Sequence, residues 1–172
     1  MDQPPLNKSV KPDFQLLFSH PAHFLAFGFG AGLAPRAPGT VGTLAAIPIY
    51  ILMSLFLGHT GYLAATIILA LLGVWVCDIT DKTLGTNDHG AIVWDEITGF
   101  LITMFMAPLT WWSVLAGFLL FRFFDILKPF PISWFDKHLK GGVGTMLDDV
   151  LAGIYAWFCL QAGIFFLSDL IR

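Results

Sequence analysis

Long stretches of this chain carry no charged residue, among them 41–58, 62–77, 97–121 and 150–168. Each is near the ~20 apolar residues that cross a hydrocarbon core as a helix. Two polar islands, 78–96 and 122–144, separate them. The 97–121 stretch contains Ala107-Pro108-Leu109-Thr110, a turn signal. It therefore divides into a helix over about 91–107 and another over about 111–127. The pattern predicts an all-α integral membrane bundle of about five spanning helices: 41–58, 62–77, 91–107, 111–127 and 148–167. The short 58–61 connection makes the first two a hairpin. Residues 14–29 are apolar but carry His20, Pro21 and His23, which suits an interfacial segment better than a clean span. Residues 1–13 are polar and Pro-containing, and read as a flexible tail; 14–172 read as a single membrane-embedded domain.

Composition sharpens this picture. Of 172 residues, 56% are hydrophobic and only 12% charged, against about 25% charged in soluble domains. Mean hydropathy is +0.75. A net charge of −3 offers no basic footprint for nucleic acid. Cys77 and Cys159 both lie in apolar runs and form no metal or disulfide spacing. The basic residues set the orientation. Lys82, Arg122, Lys128, Lys137 and Lys140 all fall in the islands, and Lys8, Lys11 and Arg36 precede the first span. Positive charge favours the cytoplasmic side, so both islands are expected to face the cytoplasm.

The acids point to chemistry. Only one of the twelve is Glu, and nine lie between Asp78 and Asp149. Short aspartates beside apolar segments suit a hard cation with oxygen ligands. Asp148 and Asp149 stand side by side before the last run, preceded by Gly141, Gly142 and Gly144. Two adjacent like charges repel, and a cation relieves them. Asp95 and Glu96 also suit the first turn of a helix, where they would complement its dipole. Asp88-His89 also reads as an ordinary Asx turn. Arg122, Asp125 and Lys128 recur every three residues, the spacing of a helical ion pair, although charges at membrane depth tend to mark function. The segment 28–43 holds five glycines and two prolines and reads as a loop. With Arg36, Thr40 and Thr43 it offers donors for a phosphate, without a Walker pattern. Carboxylates for a divalent cation plus Arg and Lys for a phosphate suggest phosphoryl chemistry on a lipid.

Four ordered stretches carry a family resemblance: GFGAGLAPRAPGTVGTLAAIP, NDHGAIVWDEITG, FRFFDILKPFPISWFD and GGVGTMLDDVLAG. Together they resemble the phosphatidylglycerophosphatase A family over nearly the whole chain after the tail. The resemblance implies a magnesium-dependent integral membrane enzyme; with the apolar runs and the basic residues, the expectation is a multi-pass protein of the inner (cytoplasmic) membrane with its active site facing the cytoplasm. It would hydrolyse the terminal phosphomonoester of phosphatidylglycerophosphate, with no obligate protein partner. Mapped onto this chain, Asp95, Glu96, Asp125, Asp148 and Asp149 are the Mg²⁺ candidates. Arg36, Thr40, Thr43, Arg122 and Lys128 would hold phosphate. Asp88 or His89 would orient water or protonate the leaving alkoxide, with Asp95 and Asp149 also counted as catalytic. A water on the cation is the favoured nucleophile, and an aspartyl-phosphate stays open.

Three other readings fit parts of the pattern. A phosphatidyltransferase-like enzyme would share the cation and the lipid, but its DG…AR…G…D…D pattern is absent. A cation transporter would spread its acids through the membrane depth and show an inverted repeat. A soluble helical domain with an unusually apolar core is the third.

Overall fold

The computed structural model describes residues 11–170. Most of the expected tail, and Arg172, lie outside them. Every regular element among the described residues is helical. Two short helices, α1 (Phe14–Ser19) and α2 (Pro21–Ala26), lead into a 3₁₀ turn at Gly28–Leu33. Asp13 caps α1 by accepting the Leu16 N–H at 2.7 Å, and His20 Nδ1 accepts the Ala22 N–H at the start of α2. There follow α3 (Pro38–Phe56), α4 (His59–Leu84), α5 (Trp94–Thr103), α6 (Trp111–Leu127), α7 (Ile132–His138) and α8 (Gly141–Leu170).

Among the described residues, three helices are long and apolar enough to cross a membrane: Pro38–Phe56, His59–Leu84 and Gly141–Leu167. The first two are joined by the expected short connection, and α5 packs against both rather than the two packing on each other. Their outward faces carry exposed apolar side chains such as Leu52, Leu55, Ile68 and Trp75, as lipid contact requires. The remaining two expected spans are shorter. α5 has ten residues and rises about 15 Å, half of a ~30 Å hydrocarbon core. α6 has 17 residues.

The short α5 is nevertheless the centre of the bundle. Trp94, Asp95, Ile97 to Leu101 and Thr103 are buried, and α3, α4, α6 and α8 pack around it. Because α5 stops at Thr103, its last carbonyls and those just beyond need donors inside protein. Tyr62 Oη donates to Leu101 O at 2.8 Å. Trp157 Nε1 and Gln161 Nε2 both donate to Phe105 O at 2.9 Å. Tyr50 Oη donates to Ala107 O at 3.1 Å.

α5 and α8 meet backbone to backbone. A methyl group at Gly153 would lie 2.5 Å from Gly99 O. The Thr103 hydroxyl reaches Gly99 O at 3.0 Å and Gly153 O at 3.3 Å. Gly153→Ala is therefore expected to force the helices apart and cost about 1–3 kcal/mol, read as a lowered unfolding midpoint in detergent.

Two boundaries differ from the sequence expectation. α3 begins at Pro38, so Thr40 and Thr43 are helical and not in a loop. Proline at a first helical position supplies the φ that a helix start needs. α8 begins at Gly141, so Asp148 and Asp149 sit two turns inside a helix and not at its mouth. The glycines there are packing residues: a methyl at Gly142 would meet Val74 O at 1.9 Å. The same holds for the 3₁₀ turn, where a methyl at Gly32 would meet Ala91 O at 1.9 Å. That turn packs against the Ala91 backbone and the Val93 side chain.

Candidate active site

The first turn of α5 and the third turn of α8 face each other. They bring together Asp95, Glu96 and Asp149, with a carboxylate oxygen of each lying within 4.8 Å of the others. Asp95 is 6% exposed and Asp149 2%. Asp95 Oδ1, Glu96 Oε2 and Asp149 Oδ2 are buried without a hydrogen-bond partner. Buried carboxylate oxygens left unpaired are costly. Three converging at one point make a set of hard oxygen donors that a divalent cation fits.

Arg122 closes one side. Its guanidinium lies 2.5 Å from Asp125, one turn away on α6, and 3.8 Å from Glu96. The expected Arg122–Asp125 pair thus forms. Asp125 lies beside Asp149 as well as Arg122, just outside the three grouped carboxylates. The Arg122 Nε is buried and has no partner among the described residues.

The N-terminus of α3 packs beside Glu96 and Arg122. Val41 N–H is the first in this helix to find a backbone acceptor, Ala37 O at 3.2 Å, so the Gly39 and Thr40 N–H groups belong to the unpaired first turn. A methyl at Gly39 would stand 2.1 Å from Glu96 Oε1 and 3.1 Å from an Arg122 nitrogen. Only glycine lets the helix start approach the acids this closely. Gly39→Ala is expected to displace Glu96 or Arg122 and reduce kcat/KM by about 100-fold, measured as phosphate release. Of the other expected phosphate donors, Thr40 is half-buried on this first turn. Thr43 is buried and spends its hydroxyl proton on Gly39 O at 2.9 Å. Arg36 is exposed, and no ion partner is found for it among the described residues.

Asp148 does not join Asp149. Its Oδ2 accepts from Lys128 Nζ at 2.5 Å, and the same ammonium bonds Asp136 Oδ1 on α7 at 2.6 Å. The like-charge problem of the Asp148-Asp149 pair is thus relieved by a lysine for one member. Burial lowers the Lys128 pKa, but the hydrogen bonds to Asp136 and Asp148 outweigh it and hold the ammonium above its usual range. Asp88 approaches this group: oxygens of Asp88, Asp136 and Asp148 lie within 4.8 Å of one another. Asp88 also lines a cavity of about 240 Å³ with Asp136, Lys137, Lys140 and Thr145. His89 Nδ1 accepts the Ala91 N–H at 3.1 Å, which leaves the proton of a neutral ring on Nε2.

Desolvation, then the Asp148 charge, pushes the Asp88 carboxyl up to about 6. A carboxyl raised in the fold binds its proton more tightly than in the unfolded chain. Its contribution to stability is therefore full below the ordinary aspartate pKa of about 4 and is lost as pH rises through about 6. Asp88→Asn removes this dependence, and Asn tolerates the left-handed φ of 58° at that position. Unfolding midpoints in detergent are expected to match at pH 4 and to favour the variant at pH 7.5.

The site includes one acid that the sequence did not single out, Asp81. It is 2% exposed and lies on the last turn of α4. Its carboxylate accepts from the His89 backbone and from Thr145. The available signal was its position: an aspartate one turn after Asp78, at the end of an apolar helix.

The family model described as phosphatidylglycerophosphatase A matches residues 24–164. The chain is 45% identical over 163 residues to the phosphatidylglycerophosphatase A of Escherichia coli K12, covering 94% of this chain and 91% of that protein. It is 50% identical over 138 residues to the Haemophilus influenzae protein of the same name, covering 80% and 85%. A Bacteroides thetaiotaomicron protein provisionally named a phosphatidylinositol-3-phosphatase is 39% identical over 140 residues, covering 77% and 87%. No solved structure matches. The matched span holds the acid trio, Arg122, the α3 start and the Lys128 group, so this chain belongs to the phosphatidylglycerophosphatase A family.

Proposed function

We propose that the chain hydrolyses the terminal phosphomonoester of phosphatidylglycerophosphate, leaving phosphatidylglycerol and phosphate, at the Asp95–Glu96–Asp149 trio. The observation that carries this reading is the grouping of three carboxylates, each with a buried oxygen that has no partner, one of which, Glu96, meets the bare start of α3 and the Arg122 guanidinium. Phosphoryl transfer needs a cation holder and anion donors in one place, and this is such a place. Magnesium held by the trio would act as a Lewis acid on the phosphoryl oxygens.

The chain's own groups do the rest. The Gly39 and Thr40 N–H groups, aided by the helix dipole, hold phosphate oxygens. Arg122, next to Gly39, adds charge beside these donors, and Arg36 and the Thr40 hydroxyl lie within the same stretch of chain. Lys128 has two of its three donors committed to carboxylates, so it keeps one for substrate. Asp88 accepts or returns the proton of the attacking water or leaving alkoxide, with His89 Nε2 as the alternative donor.

The orientation follows from charge. Lys82, Arg122, Lys128, Lys137 and Lys140 flank the acids, which favours placing the site at the cytoplasmic face of a multi-pass bundle. In this arrangement five helices thread the membrane region, with α5 reaching part way.

The test is a head-group panel. Purified protein in detergent with magnesium is given phosphatidylglycerophosphate, phosphatidic acid or phosphatidylinositol 3-phosphate, and inorganic phosphate is measured. Fastest release from phosphatidylglycerophosphate is expected. Preference for the inositol lipid would move the substrate assignment, and no release from any of them would remove the hydrolytic reading.

A further inference from the structure

Asp81 is the most fully engaged acid of the site end of the bundle, yet the reaction as described gives it no role. It is 2% exposed at the end of a candidate spanning helix, where an ionised carboxylate is expensive. Its hydrogen bonds show what that expense supports. Oδ1 accepts the His89 backbone N–H at 3.2 Å and the Thr86 hydroxyl at 3.5 Å. Oδ2 accepts the Thr145 hydroxyl at 3.2 Å. The Asp81 carbonyl accepts the Thr86 N–H at 3.1 Å, and that of Gly85 as the cap of α4. One residue thus bonds both ends of the 85–89 turn and the second turn of α8.

These partners are neighbours of chemistry-bearing groups. His89 follows Asp88, which is held at φ 58°, a backbone conformation that usually needs support from its surroundings. Thr145 precedes Asp148 by one turn on the same helix face, since residues three apart are neighbours there. Asp88 and Asp148 in turn lie within 4.8 Å of each other, oxygen to oxygen.

We propose that Asp81 is a positioning residue: through the His89 N–H and the Thr145 hydroxyl it fixes the Asp88 corner against α8 and so sets the Asp88–Asp148 approach. It touches no substrate and acts only through Asp88. The proposal rests on the reading of Asp88 as a participant in phosphate release. The anchoring itself is open to a measurement that needs no turnover.

Asp81→Ala, Asp81→Asn, Asp88→Asn and the Asp81→Ala/Asp88→Asn double variant are assayed for phosphate release from phosphatidylglycerophosphate. Amide hydrogen exchange over residues 85–93 is followed in parallel. Asp81→Ala is expected to lower kcat/KM by about 100-fold and to speed exchange in that segment. Asp81→Asn keeps an acceptor for the His89 N–H and is expected to restore most of the rate and the protection. In the Asp88→Asn background Asp81→Ala is expected to cost nothing further, because coupled residues are non-additive.

Multiplying losses, or unchanged exchange in Asp81→Ala, would overturn the proposal while leaving the phosphatase reading in place. A full rate in Asp88→Asn with faster exchange in Asp81→Ala would remove the role of Asp88 and support the anchoring. If Asp81→Ala does not fold, Thr145→Val, which removes the α8 anchor alone, is run through the same cycle and judged by the same outcomes.

Discussion

Asp149→Asn is expected to cut phosphate release by on the order of 10²–10³-fold, the scale of losing one charge-stabilising group in a buried site, without unfolding the protein. Asp149 is buried beside Asp95 and Glu96, and its Oδ2 has no partner. With no cation bound, the three carboxylates oppose one another, and removing one charge relieves that opposition. The variant is therefore expected to unfold at the same temperature as wild type or higher in chelator. Magnesium should raise the wild-type midpoint by linkage, because it binds only the folded site. It should raise the variant's midpoint much less. Lost activity together with a lowered midpoint in chelator would indicate that Asp149 is structural and not a cation ligand.

Arg122→Ala has the second large effect, and it strikes stability as well as rate. The side chains of Arg122, Glu96 and Asp125 are 16%, 14% and 12% exposed, so the group is largely desolvated. Removing one partner of a buried pair leaves the other charge uncompensated and costs about 3–5 kcal/mol. Urea unfolding in mixed micelles is expected to show that loss. Adding Asp125→Ala should recover part of the stability, since it removes the stranded carboxylate. It should recover none of the activity, since the guanidinium is still missing beside the trio. Full additivity of the two stability losses would mean that the 2.5 Å contact contributes little.

Much of this site was legible in the sequence, and the reasons for success and failure are physical. Apolar run lengths located α3, α4 and α8, because a membrane segment must be continuously apolar. The Arg122–Asp125 pair was legible because residues three apart share a helix face. The span count was less so: α5 looks like a span in composition, but its length is set by Tyr62, Trp157 and Gln161 capping its end from other helices. No local pattern encodes those contacts. Asp148 and Asp149 read as one pair because they are adjacent in sequence, but the fold places them in two different acid groups. Gly142 and Gly144 let α8 pack closely against Val74 and Leu139, so the helix starts before the two aspartates and not at them. Adjacent residues on a helix do not face the same way, so the two aspartates serve two different groups. Lys128 reaches Asp148 across 20 positions, a pairing that only the fold supplies. Asp81 was passed over because its partners, His89 and Thr145, are 8 and 64 positions away.

The most direct test of the acid trio as the working site is the magnesium dependence of phosphate release from phosphatidylglycerophosphate, measured on wild type and Asp149→Asn in the same micelles. Saturable activation by magnesium, abolished by chelator and lost or shifted to far higher magnesium in the variant, is the expected result. A wild-type rate unaffected by chelator, or a variant with an unchanged magnesium response, would contradict the assignment of Asp95, Glu96 and Asp149 as the cation site.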